Sequence, residues 1–386
     1  MKFRVERDAL ADAVAWTAKS LPTRPSVPVL AGVLMRVADG QLTVSGFDYE
    51  VSSQVTVAVQ GDSDGAALVS GRLLAEITKA LPPKPVEVAA VGTHLELVCG
   101  SARFTLPTMP VEDYPTLPAM PETAGTVEAS TFAHAVAQVA IAAGRDDTIP
   151  MLTGVRLELE GSTLSLLATD RYRAAVREIA WRPQEDGVST QALVPARTLA
   201  DTAKTLGPLG GDVTVALSRG GVGEGMIGFA GGARRTTSRL LDPDFPKIRS
   251  LFPDQHNARA KVNVAALTEV VKRVALVADR TTPVRLSFAE GEVVVEAGGS
   301  EDARASEAME CEFTGEPMTV AFNPAYLLDG LSVLDAPLVL ISFTSAMKPA
   351  VISPANEDGE PVPGYRYLIM PMRVSDAVGA RSAGAA

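Results

Sequence analysis

Arg72 and Lys79 stand seven residues apart, and so do Arg197 and Lys204, at nearly equivalent places in two segments of related wording. Seven residues make two helical turns, so each pair occupies one stripe of a helix face. Matched cationic stripes suit a polyanion, although an ordinary solvated helix face produces the same spacing. Lys272 and Arg273 on a third helical stretch, with Arg24 and Arg145 in loops, extend the cationic set. The net charge of −11 argues against phosphate-backbone binding only if charge is averaged over the whole surface, so its distribution decides.

Residues suited to covalent or metal chemistry are sparse. The two cysteines, Cys99 and Cys311, lack CxxC or His spacing, and His94, His134 and His256 are scattered singly, so no metal site and no cofactor is expected. No GxSxG, HExxH or GxxxxGK motif occurs, so no catalytic residue is assigned. The Gly-rich run Arg219 to Gly225 follows one strand-like segment and leads into another, Met226 to Ala230. No helix N-terminus is there to receive a phosphate, and the run reads as a hairpin loop. Near the end, Tyr365 to Val374 carries Met370, Pro371 and Met372, which fit a closing strand with an edge proline. They also fit a plastic groove for short apolar peptides, because methionine adapts to varied partners.

The elements that must position these residues repeat about every 125 residues. Val33 to Val44 recurs as Val155 to Leu166 and again as Val284 to Val295, each a two-stranded hairpin. A helical stretch precedes each copy, Ala9 to Ala18, Thr131 to Ala143 and Ala266 to Ala278, and a second follows, Arg72 to Leu81, Ala196 to Leu206 and Pro324 to Leu334. Strands of period-two alternation with two helices per repeat give α+β domains, helices gathered on one side of antiparallel sheets. Pro/Gly-rich stretches at Leu117 to Gly125 and Phe252 to Asn257 read as linkers, and set domains at 1–120, 126–253 and 258–374 with a flexible tail at 375–386. No apolar run reaches membrane-span length and the first residues lack a signal-peptide core, so a cytoplasmic protein is expected, with no membrane partner.

Met1 to Arg7, Arg24 to Leu30, Ala168 to Val176, Phe245 to Arg249, Phe322 to Pro324 and Tyr367 to Arg373, in this order within a threefold repeat, resemble the bacterial DNA sliding clamp, the beta subunit of DNA polymerase III. The wording of Ala140 to Thr148 is similar to actinobacterial members. The resemblance implies three tandem clamp domains with sheets outside and helices inside, and a head-to-tail homodimer closing a ring around duplex DNA without reading its sequence. It implies a non-catalytic processivity factor that tethers the replicative polymerase alpha subunit, the clamp loader and repair proteins that carry a clamp-binding motif.

The resemblance places the partner groove at Leu152, Thr169, Arg171, Tyr172, Arg173, Pro246 and Leu251, continued by Met347, Leu368, Ile369, Met370, Pro371, Met372 and Arg373. Arg173 and Arg373 are expected to fix polar ends of the bound segment. The dimer seam falls at Phe104 and Leu106 of one protomer against Leu276 and Val277 of the other. Arg171-Tyr172 replaces the Gly-His of better-known relatives, a bulkier and more basic rim, and residues 375–386 extend past the usual end. A paralogous clamp, such as an inhibitor-resistance variant, or a peptide-binding module outside the main replisome, is the alternative.

Overall fold

The computed structural model describes residues 1–218, 225–278, 282–298 and 303–373, so the Gly-rich loop at 219–224 and the tail at 375–386 lie outside the described residues. Each repeat contributes two helices: α1 (Arg7–Ala18) and α2 (Gly71–Ala80), α3 (Ala129–Ala140) and α4 (Ala196–Leu206), α5 (Val264–Val274) and α6 (Pro324–Ser332). Their apolar periodicity explains them. On α5, Leu267, Val270, Val271 and Val274 recur at helical spacing and are buried, while Lys272 and Arg273 between them face solvent. On α2, Leu74, Ile77 and Thr78 are buried and Arg72 and Lys79 are exposed. α5 stops four residues short of the expected Ala278 and passes into a 3-10 turn, Ala275–Val277.

Side-chain acceptors fix the helix starts. The Asn263 side chain accepts from the Ala266 N–H, and that of Asn323 from the Ala325 N–H ahead of α6, whose first residue is proline. Glu128 does the same for α3, accepting from the N–H groups of Ser130 and Thr131.

The three hairpins have the same register. Ala38 faces Gln41, Glu160 faces Thr163 and Ala289 faces Glu292 across their turns. The flanks of the Gly-rich loop also pair, Leu217 with Ile227, as its reading between two strands requires. Part of the first expected linker is strand, because Thr123–Glu128 pairs with Asp212–Leu217.

Compactness follows the sheets and cuts across the second repeat. One unit comprises Met1–Ala133, Trp181–Val188 and Arg197–Pro243; the other comprises His134–Ala180, Ser189–Ala196 and Asp244–Ala386. The first carries a 14-stranded and the second a 12-stranded sheet.

Within each unit the sheet crosses a repeat boundary in the same way. In the first, Val51–Ala58 pairs with Gln41–Phe47 of its own repeat and with Arg234–Arg239 of the next, Ser52 facing Thr237 with hydroxyl oxygens 2.6 Å apart. In the second, Arg173–Ala180 pairs with Thr163–Thr169 and with Tyr365–Ile369, Ala174 facing Leu368. Two strands of these same types lack that second partner among the described residues. Residues 102–107 pair only with His94–Cys99, and residues 305–311 only with Gly291–Ala297.

Glu128 ties the α3 start to pH. Hydrogen bonds from Thr131 and Ser130 hold its carboxyl down at about 2. A depressed folded value means that its contribution is complete above the ordinary carboxylate range and is lost as pH falls toward 2. Glu128→Gln should therefore lower the urea midpoint at pH 7 and converge with the parent protein near pH 2, measured by circular dichroism across that range.

Candidate functional site

The cations named from sequence are exposed: Arg24, Arg72, Lys79, Arg145, Arg197, Lys204, Lys272 and Arg273. Arg72 and Lys79 of α2 border, with Arg7 and Lys19, a shallow depression floored by alanines of α1 and α2. Arg24, in the loop after α1, and Arg197, at the start of α4, line a cleft of about 380 Å³ in the same unit. Lys272 and Arg273 differ from the others because Lys272 pairs with Glu269 at 2.9 Å and Arg273 forks onto Glu307 at 2.6 Å. Their charge is largely offset in place.

The residues expected in the partner groove all belong to the second unit, and strand register sorts them. Thr169, Ala174 and Leu368 lie opposite one another across three strands, so they share one sheet face. Glu158 and Glu178 lie on that face too, and Arg249 bonds both, at 3.0 and 2.6 Å. This bond and the Arg366 guanidinium 4.8 Å from the Phe252 ring centroid hold the Pro246 to Leu251 segment over the sheet face that carries Glu158, Glu178 and Arg366. Pro246 and Leu251 are exposed there, Leu251 at 52%.

Arg173 and Ile369 also face each other, but on the opposite side of the sheet, against α6. Tyr367 marks that side, its hydroxyl donating to the Tyr326 carbonyl of α6 at 2.8 Å. Thr169 and Leu368 are themselves buried, at 5% and 2%, so the exposed surface over their face is left to Pro246 and Leu251; Ile369, fully buried, lies on the other face, because adjacent strand residues point to opposite sides.

The remaining candidates gather at one end of these strands. Met347 lies in the turn before Ala350, the neighbour of Ile369, and is exposed. Strand Tyr365–Ile369 ends before Pro371, so the proline lies past the strand, not at its edge. The Met370 N–H donates to the Tyr172 carbonyl and the Met372 N–H to the Ala321 carbonyl, both at 2.8 Å, carrying Met370 to Arg373 along the rim. Leu152 is buried below it, its carbonyl accepting from the Gly144 N–H.

Arg173 was expected to fix an end of a bound segment, but its guanidinium is already engaged. It is 4% exposed, donates to Asp170 at 2.9 Å and Asp329 at 2.6 Å, and lies 4.3 Å from the Tyr326 ring centroid. Burial opposes its charge, yet Tyr367, Asp329 and Asp170 outweigh burial and hold its pKa above the ordinary value. Asp170 also accepts from the Tyr172 and Arg173 N–H groups, closing a turn in which Arg171 takes φ 80°. Asp170, Tyr326 and Asp329 escaped the sequence reading because Arg173 and Asp329 are 156 residues apart. The only signal was Asp170, two residues before an N–H it could accept.

At the expected dimer seam, Leu276 is 84% and Phe104 36% exposed, and Val277 is half-buried. Leu106 is corrected: at 2% exposure it belongs to the first-repeat core. Alternation puts it on the same face as Phe104, which is exposed and no part of that cluster. Among the described residues no group of three His, Cys, Asp or Glu could hold a metal, both cysteines are buried and free, and no helix is long and apolar enough to cross a membrane.

Residues 1–118, 126–247 and 249–373 match, respectively, the N-terminal, central and C-terminal domains of the DNA polymerase III beta subunit. The chain belongs to that family. It is 56% identical to the beta sliding clamp of Streptomyces coelicolor over 97% of this chain and 100% of that one. It is 44% identical to the beta sliding clamp homolog GriR of Streptomyces muensis, over 97% and 99%. The solved Pseudomonas aeruginosa sliding clamp bound to griselimycin superposes with a TM-score of 0.88 at 27% identity, covering 97% of this chain and all of that one. The fold is three tandem sliding-clamp domains, as the α+β triplication implies.

Because removing Arg173 strands two carboxylates beside a buried site, Arg173→Ala should cost roughly 3 kcal/mol in urea unfolding of the full chain. Arg173→Lys, which keeps the charge but loses the fork, should cost less. A loss for Arg173→Ala within the error of the parent protein rules out the cluster as a structural tie.

Proposed function

We propose that the protein is the replicative DNA polymerase processivity clamp: a non-catalytic homodimeric ring that encircles duplex DNA and slides along it. One observation carries the closure. The sheet crosses both internal repeat boundaries by pairing one strand type with another, and residues 102–107 and 305–311 are the same two types with no second partner among the described residues. Pairing them between two copies satisfies both edges and closes the chain head to tail. The internal registers, Ser53 with Thr236 and Ala175 with Tyr367, transfer to Ala305 of one protomer facing Phe104 of its partner. Phe104 and Leu276, exposed in the single chain, supply the apolar contact at this seam.

Arg72, Lys79, Arg197 and Lys204, with Arg24 and Arg145, meet the phosphate backbone. Such contacts carry no base information and leave the ring free to slide. Retention comes from topology, so the weak, salt-sensitive contacts of an acidic protein suffice. The Thr169, Leu368, Pro246 and Leu251 face and the Met370 to Arg373 rim receive short extended segments from the polymerase alpha subunit, the clamp loader and repair proteins. The site of action is the bacterial cytoplasm. Identity of 56% to a beta sliding clamp, against 44% to the GriR homolog, supports the housekeeping role over a paralogue's.

Loaded on nicked circular DNA, the protein should remain bound through gel filtration and be lost once the circle is linearised; equal retention on both argues against encirclement. Phe104→Ala with Leu276→Ala should weaken the dimer by roughly 2 kcal/mol per side chain removed, giving monomers in light scattering at nanomolar concentration. A persistent dimer there removes this seam.

A further inference from the structure

The cleft of about 380 Å³ in the first unit is lined by the end of α1, the loop after it, the start of α4 and the strand pair Val51–Ala58 with Arg234–Arg239. On that strand pair Ser53 faces Thr236. One residue along, on the opposite sheet face, Ser52 and Thr237 satisfy each other with hydroxyl oxygens 2.6 Å apart. Ser53 and Thr236 do not. Both are 4% exposed, and Thr202 of α4, lining the same cleft, is 5% exposed. None of these three hydroxyls has a hydrogen-bond partner among the described residues, although a buried polar group normally finds one.

The exposed part of the lining is cationic. Lys19, Arg24 and Arg197 have no ion-pair partner within 4 Å among the described residues. Arg197 lies in the first turn of α4, the helix end at which open N–H groups favour an anion. Two carboxylates share the cleft. Asp48 is occupied by the Glu50 and Val51 N–H groups at 2.9 and 2.6 Å, whereas the Asp201 carboxylate is exposed and unpaired among the described residues. Leu21, Pro22 and Val51 add an apolar wall.

The repeat does not dictate this lining. In the second unit Asp170 accepts from the Tyr172 and Arg173 N–H groups as Asp48 does from Glu50 and Val51, and Arg171 takes φ 80° where Tyr49 takes 74°. There, however, Arg173 stands in the place of Val51 and Tyr326 in that of Thr198, and the two join in a cation-on-ring contact beside the ion pair with Asp329. The first unit lacks that cluster and keeps open hydroxyls and open cations instead.

We propose that this first-unit cleft binds a free nucleotide. Its phosphoryl groups take Lys19, Arg24 and Arg197, since a phosphoryl group offers enough acceptor oxygens for several cationic donors. The Asp201 carboxylate accepts from a sugar hydroxyl. The base packs on Leu21, Pro22 and Val51 and meets the hydroxyls of Ser53, Thr202 and Thr236 with its polar edge. The cleft is of a size that encloses a small ligand and is larger than a phosphate alone fills. Arg24 and Arg197 are also among the cations proposed above to meet the DNA backbone, so nucleotide and duplex exclude each other at this place.

The probes are ATP, adenosine, inorganic triphosphate and a short DNA duplex, each titrated into the full-length protein by isothermal titration calorimetry. ATP should bind roughly tenfold tighter than adenosine or triphosphate, each of which satisfies one end of the cleft only, and its affinity should fall with added salt. Thr198→Tyr, which brings in the residue type found at the equivalent place in α6, should fill the cleft and abolish ATP binding. Ser53→Ala with Thr236→Val keeps every cation and should weaken ATP about tenfold; this pair decides the matter should Thr198→Tyr fail to fold. Triphosphate binding as tightly as ATP reduces the site to a charge contact and overturns the nucleotide assignment. Binding of the duplex without binding of ATP assigns the cleft to the DNA backbone and overturns it as well. ATP affinity unchanged in the folded variants places the nucleotide elsewhere, and no ATP binding to the parent protein removes the site.

Discussion

A strand at the edge of a sheet leaves a row of N–H and C=O groups open, and this chain meets that constraint by lending each repeat a strand from the next. Val51–Ala58 takes Arg234–Arg239, and Arg173–Ala180 takes Tyr365–Ile369. The second repeat is therefore divided between two continuous sheets, each half owing its ladder to a neighbour in sequence. Among the described residues, 102–107 and 305–311 have no such neighbour, and under the proposal a second copy meets these edges. Closure, as proposed, is the same bond pattern repeated between molecules.

The same boundary positions the proposed partner groove. Pairing of Ala174 with Leu368 aligns Thr169 and Leu368 on one face, while pairing of Arg173 with Ile369 turns those two toward α6. Arg173 then ties Asp170 of the second repeat to Asp329 of the third and rests on Tyr326. Its charge is spent on holding the turn that bears Arg171 and Tyr172.

Electrostatics follow from distribution. An overall charge of −11 coexists with exposed cations on α2 and α4 that have no ion-pair partner among the described residues, while those on α5 are offset by Glu269 and Glu307. Only pairing separates these groups. A count of basic residues would treat all of them alike.

The sequence by itself determined the local and periodic features: six helices from their apolar stripes, three hairpins of equal register, and the triplication. These depend on neighbours within a few residues or on duplicated wording, and both are legible in a string. Tertiary structure decided which side of a strand each residue meets and which charges are taken. Leu106 joined the core while Phe104 stayed exposed, Ile369 turned away from Leu368, and Arg173 found Asp329 across 156 residues. The physical reason is that burial and ion pairing are properties of surfaces in contact, and those contacts form between segments that the sequence keeps far apart.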